Sequence, residues 1–133
     1  MIKRIALVFL LVSVVCMPSV SVIRAENPPP KITLYFLIHS GACPCQQEYC
    51  RQAKPLGAFV QTHLAPGVEF KQLDYGEMPE TVDPLIRQYK IFTFPAFLAL
   101  DKDKQELLKI QGKMTRDSTL KKLFDQGLIT GVE

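Results

Sequence analysis

Three cysteines crowd one short stretch, Ser40-Gly41-Ala42-Cys43-Pro44-Cys45-Gln46-Gln47-Glu48-Tyr49-Cys50, in a chain that has only one other, Cys16. An apolar strand-like run precedes them and a helical pattern follows. The sulfurs therefore fall where the free amide N–H groups and positive dipole end of a helix stabilise thiolate. A structural zinc ribbon would need a second cysteine knuckle downstream, and the sequence holds none after Cys50. Thiol–disulfide exchange is the leading expectation and soft-metal binding the second.

Spacing limits which sulfurs can pair. On a regular helix Cys43 and Cys50 would stand about 10 Å apart along the axis, whereas disulfide Cα atoms approach within about 7 Å. That pair closes only if residues 44–48 loop rather than wind. Cys45 and Cys50 also need Cys45 in the turn, because five residues on a helix face different sides. Cys43 and Cys45 are near each other in any conformation. A disulfide enclosing a single residue is strained and easily reduced, which suits exchange.

The surrounding elements follow from hydrophobic period. Residues 32–38 are β-branched, aromatic and apolar on both faces, as in a central strand covered on each side. From about Gln46 to Leu64, Tyr49, Cys50, Ala53, Leu56, Phe59, Val60 and Leu64 recur at helical spacing around an internal Pro55. Val68 to Leu73 alternates like a half-buried strand, and Pro79 to Tyr89 reads as a helix with Val82, Leu85, Ile86 and Tyr89 inward. A strand opened by Pro95 runs to Leu100, a turn at residues 101–104 returns the chain through Gln105 to Ile110, and Gly112 leaves it. Thr115 or Asp117 caps a last helix, Ser118 to Gln126, with Leu120, Leu123 and Phe124 on its apolar side. The order β-α-β-α-β-β-α predicts an α/β fold with a four-stranded mixed sheet and helices on both faces.

At 133 residues the chain has room for one domain. Its formal charge of +3 comes from Lys3, Arg4 and Arg24, and the remainder balances thirteen basic against thirteen acidic residues. That balance gives no footprint for nucleic acid. Residues 1–25 combine a basic start, an uncharged apolar run and a small final residue, the pattern of a cleaved secretory signal. Residues 5–23 are also long enough to serve as a membrane tether, and Cys16 is a poor lipidation site after Val14-Val15. Each version places the folded part outside the cytoplasm, periplasmic or otherwise exported, where disulfides persist. Residues 26–30 read as a proline-rich linker, 31–127 as the folded domain and 128–133 as a tail.

Several segments together resemble the thioredoxin superfamily. Tyr89-Lys90-Ile91-Phe92-Thr93-Phe94-Pro95-Ala96-Phe97-Leu98-Ala99-Leu100 is similar to the segment around that family's cis-proline. Phe36-Leu37-Ile38-His39-Ser40-Gly41-Ala42-Cys43 resembles its strand leading to the first active-site cysteine, and Cys50 followed by Pro55 its second cysteine and helix-bending proline. The resemblance spans about Lys31 to Gln126. It implies a thioredoxin-like fold and thiol–disulfide oxidoreductase activity on protein or small-molecule thiols and disulfides. The departures are six residues between Cys43 and Cys50 instead of two, no tryptophan before Cys43, no buried acid in the first strand, and no extra N-terminal strand and helix.

On this resemblance Cys43 corresponds to the attacking thiol and Cys50 to the resolving one, with Cys45 extra. The expected catalytic set is Cys43 or Cys45 as nucleophile and Cys50 resolving or in reserve; Cys50 read alone is also a core thiol on the helix stripe. The resemblance further implies a cis peptide at Phe94–Pro95, lying against the cysteines and presenting backbone to a bound polypeptide, with the preceding side chain helping to select it. In the metal reading Cys43, Cys45 and Cys50, with His39, form a soft site for Cu(I), Zn or a heavy metal. A third reading is a noncatalytic binding module that uses the groove beside Pro95. His39 otherwise reads as a solvent-facing loop residue, and Phe92 and Phe94 as either core or an exposed docking patch.

Overall fold

A computed structural model describes residues 30–131. The signal or tether at 1–25, and the linker apart from Pro30, lie outside the described residues. Among those described, no helix is long and apolar enough to cross a membrane.

The elements are β1 (Ile32–Ile38), α1 (Pro44–Thr62), β2 (Val68–Asp74), α2 (Pro79–Tyr89), β3 (Ala96–Asp101), β4 (Glu106–Gln111) and α3 (Arg116–Asp125). They build one sheet in the order β2-β1-β3-β4. β1 pairs parallel with β2, Ile38 opposite Asp74, and antiparallel with β3, Phe36 opposite Phe97; β3 and β4 form the hairpin. The central strands are the apolar ones: Leu34, Phe36, Leu37 and all of Ala96 to Ala99 are fully buried. β2, at the edge, keeps its alternating exposed residues, as a strand with one covered face should.

Side chains on β1 alternate between two layers. Phe36 faces α1, stacked on Phe97 with ring centroids 4.7 Å apart. Gly57 of α1 lies so close that a Cβ there would meet the Phe36 ring at 2.5 Å. α3 joins this layer, with the Arg116 guanidinium over the Phe59 ring of α1. Tyr35 points to the opposite layer, where it shares a groove with Leu85 and Tyr89 of α2. The helices thus cover both faces, as the order of elements predicts.

Three details depart from expectation. α1 begins at Pro44 rather than near Gln46, because proline is well suited to the first helical position, where its missing N–H costs nothing. Phe124 is 52% exposed, since the buried stripe of α3 is Thr119, Leu120 and Leu123. Leu128 and Ile129, read as the start of a tail, are buried in the core, with Ala65 N–H donating to the Leu128 carbonyl and Ile129 bridging Leu64.

Candidate functional site

β1, inside the sheet, ends at Ile38, and residues 39–43 turn the chain into α1. Cys43 is the N-cap residue, with extended backbone (φ −59°, ψ 156°), and its carbonyl accepts the Gln47 N–H at 3.0 Å. The first amides of α1 have no intrahelical acceptor. Cys43 and Cys45 are exposed, and their Sγ atoms stand 3.1 Å apart. The two thiols are driven in opposite directions. The Cys45 thiol donating to its sulfur, helped by the Gln46 amide, lowers the pKa of Cys43 below the ordinary cysteine value. The same bond, given up when Cys45 ionises, raises that of Cys45.

Cys50 is elsewhere. Because α1 winds from Pro44 onward, it lies about 10 Å along the axis from Cys43 and is buried, 4% exposed. Burial raises its pKa, an effect reinforced by the Asp74 charge and only partly offset by the His39 backbone and the Lys54 charge. The structure therefore brings together Cys43 and Cys45 and sets Cys50 apart. The loop over 44–48 that a Cys43–Cys50 pairing requires is replaced by helix.

His39 is half-buried. Its ring meets Tyr75 and Phe94 edge-on, at centroid distances of 4.8 and 5.3 Å, and its Nδ1 accepts the Gly41 N–H at 3.2 Å. Among the described residues no three His, Cys, Asp or Glu side chains converge as a metal site. The three-thiol and His39 set of the metal reading is thus not assembled: two sulfurs are on the surface and the third is in the core.

The Phe94–Pro95 peptide is cis. Pro95 is buried and its carbonyl accepts the Gly112 N–H at 2.9 Å. Phe94 is also buried, 6% exposed, stacked on Tyr75 and touching His39. Its side chain is held by these two rings and is not presented to a partner, contrary to the role expected for it. The Phe94 N–H and C=O, in contrast, find no backbone partner among the described residues. Of the two phenylalanines beside Thr93, Phe92 faces solvent, 75% exposed, on a backbone fixed by Phe92 N–H donating to Gln111 Oε1 at 2.7 Å.

Asp74 escaped sequence reasoning. It ends β2, is 8% exposed, and its Oδ1 accepts the Ser40 N–H at 2.9 Å and the Gly76 N–H at 2.8 Å. Burial alone pushes its pKa up, but those amides, with the Ser40 hydroxyl, outweigh burial and the net shift is downward. Ser40 continues the chain of contacts, its carbonyl accepting Gln47 Nε2 at 3.1 Å while the same amide donates to the Ala42 carbonyl at 2.8 Å. Asp74 and Gln47 thereby hold the loop that carries Cys43 from both sides. Gly76 makes the approach feasible, since a Cβ there would stand 2.4 Å from Ser40 Oγ. The sequence signal was an aspartate ending a strand with glycine two residues on, an Asx-turn pattern.

A four-stranded mixed sheet in this order, a cysteine-bearing junction between the first strand and helix, and a cis-proline before the third strand define a thioredoxin-like fold, and this chain has it. Among solved structures it is similar to a thioredoxin from Nicotiana alata, at 17% identity and TM-score 0.53 over 76% of this chain and 77% of that one. It is likewise similar to a thioredoxin from Malassezia sympodialis (15%, 0.53, over 76% and 79%) and to thioredoxin-2 of a malaria parasite (11%, 0.54, over 77% and 90%). At such identities the likeness is one of fold. No family model matches the chain, and no curated protein matches it.

Proposed function

We propose that this protein is an exported thiol–disulfide oxidoreductase whose working pair is Cys43 and Cys45. The observation that carries the reading is two exposed thiols 3.1 Å apart at a helix N-terminus. Electrostatics favours one as thiolate and the other as thiol. A disulfide bond is about 2.05 Å long, so the two sulfurs stand about 1 Å outside bonding distance.

The Cys43 thiolate attacks one sulfur of a partner disulfide; the other sulfur leaves as thiolate and a Cys43 mixed disulfide forms. Cys45 then attacks the Cys43 sulfur, its proton passing to the thiolate released in the first step. The second partner thiolate is released, and two electrons have passed to the partner as the Cys43–Cys45 disulfide closes. Run backwards, the same steps oxidise a dithiol. The unpaired peptide edge of Phe94 supports docking of an extended polypeptide, and exposed Phe92 supports an apolar contact beside it. Export is supported by the composition of residues 1–25.

The test is trapping. Cys45→Ser removes the resolving thiol and should accumulate mixed disulfides on Cys43, visible as thiol-sensitive adducts by mass spectrometry. Cys50→Ser should not. Adducts that accumulate in Cys50→Ser and are absent in Cys45→Ser would reject the assignment.

A further inference from the structure

A cavity of about 360 Å³ opens between the edge strand β4 and α3, within the size range of small-molecule sites. Lys109 of β4, Lys113 of the connecting loop, and Thr115, Ser118 and Lys122 of α3 reach it. The last three recur at helical spacing and so form one stripe of α3. No carboxylate among the described residues is on its wall. The chain beyond Arg24 balances thirteen basic residues against thirteen acidic ones, so three ammonium groups around one cavity are a local excess of positive charge.

The nearest acids leave most of that excess in place. Glu106 Oε1 stands 3.9 Å from Lys109 Nζ, which also donates to the Tyr89 carbonyl at 2.9 Å. Asp117 is on the far side of α3, about 150° around the axis from Thr115 and Lys122. Asp125 is taken by Lys121 at 2.7 Å. Lys113 and Lys122 have no carboxylate partner among the described residues. Like charges gathered on one cavity repel one another, a cost that a bound anion relieves.

Two neutral side chains add hydrogen-bond donors. Gln111, also on the wall, has its Oε1 committed to the Phe92 and Thr93 amides at 2.7 and 3.4 Å. That fixes the carboxamide and leaves its NH2 group without an acceptor among the described residues. Thr119 is 2% exposed and lines the cavity. Its hydroxyl has no hydrogen-bond partner among the described residues, where no side-chain oxygen or nitrogen is sealed off unpaired. The hydroxyl therefore opens onto the cavity, a nearly buried polar group that calls for an acceptor.

We propose that this cavity binds the phosphate group of a small molecule, with Lys113 and Lys122 neutralising its charge and Thr119 and Gln111 donating to its oxygens. A phosphate group carries about two negative charges and several acceptor oxygens, which this set of donors matches. The site shares no residue with the Cys43–Cys45 pair and stands or falls separately from the exchange reading.

The experiment follows backbone amide NMR shifts of the protein during titration with sodium pyrophosphate, at an ionic strength held constant with sodium chloride. Saturable shifts confined to residues 109–122, with a Kd of about 1 mM or below, are expected. Lys113→Gln and Lys122→Gln should each weaken binding about fivefold. Lys102→Gln, in the hairpin at the far end of β4, should leave it within about twofold. Thr119→Val keeps the side-chain shape without its hydroxyl and should weaken binding about tenfold, whereas Thr119→Ser should retain it.

Shifts that do not saturate, an equal loss in Lys102→Gln, or a Thr119→Val variant that binds like the wild type would overturn the site. So would shifts produced only by vesicles containing phosphatidic acid, which would assign these lysines to a membrane surface instead.

Discussion

Cys43 caps the helix that contains Cys50, yet the two thiols occupy opposite chemical environments. At the N-terminal turn of α1 a thiol meets solvent, a second sulfur at 3.1 Å and free amides, and its ionisation becomes easier. Two turns further in, a thiol meets the packed interior and its ionisation becomes harder. The difference comes from position on the helix, because the winding that starts at Pro44 decides which sulfur is at the tip and which is in the core. The extra cysteine at position 45 supplies at the surface the neighbour that Cys50 is too distant to provide.

The sharpest way to break this contrast is to delete each sulfur in turn. Cys43→Ser should reduce disulfide exchange by at least about a thousandfold, as expected for loss of a nucleophile. Cys50→Ala should leave exchange within about twofold while lowering stability by about 1 kcal/mol in urea titrations. Comparable losses of exchange in both variants would erase the distinction between tip and core.

The core side can be tested where α1 presses on the sheet. Gly57→Ala places a methyl against Phe36 and should cost about 1–3 kcal/mol of unfolding free energy, as overpacking does. An unchanged urea midpoint would mean that α1 has freedom to move away from the sheet.

A smaller effect is expected where the loop is pinned. Asp74→Asn keeps an oxygen for the Ser40 and Gly76 amides but removes the charge, and should cost about 1–2 kcal/mol near neutral pH. The sign with pH follows from the downward shift of Asp74 in the fold. Its contribution is fully present above the unfolded aspartate pKa and disappears as pH falls through the lower, folded one. The wild-type and Asp74→Asn curves should therefore converge at acid pH. A gap that persists there would assign the cost to geometry instead of charge.

How far the sequence shows this arrangement depends on the range of the forces involved. β1 and α2 were legible to the residue because a run of apolar side chains and a strong helical stripe are local patterns. The start of α1 was not, because Cys43-Pro44-Cys45 read as a turn, although proline also opens helices. That error matters for chemistry, since it decides whether Cys50 can reach the other sulfurs. Asp74 was illegible as a loop anchor because its partner Ser40 is 34 residues away. Phe94 was placed near the site by resemblance, but its burial depends on His39 and Tyr75, contributed by two other segments.

The contrast between tip and core is tested most directly by mapping disulfides after stoichiometric oxidation of the folded protein, with free thiols alkylated before digestion. The expected product has a Cys43–Cys45 bond and an alkylated or unreacted Cys50. A bond joining Cys50 to either of the other two cysteines would contradict it.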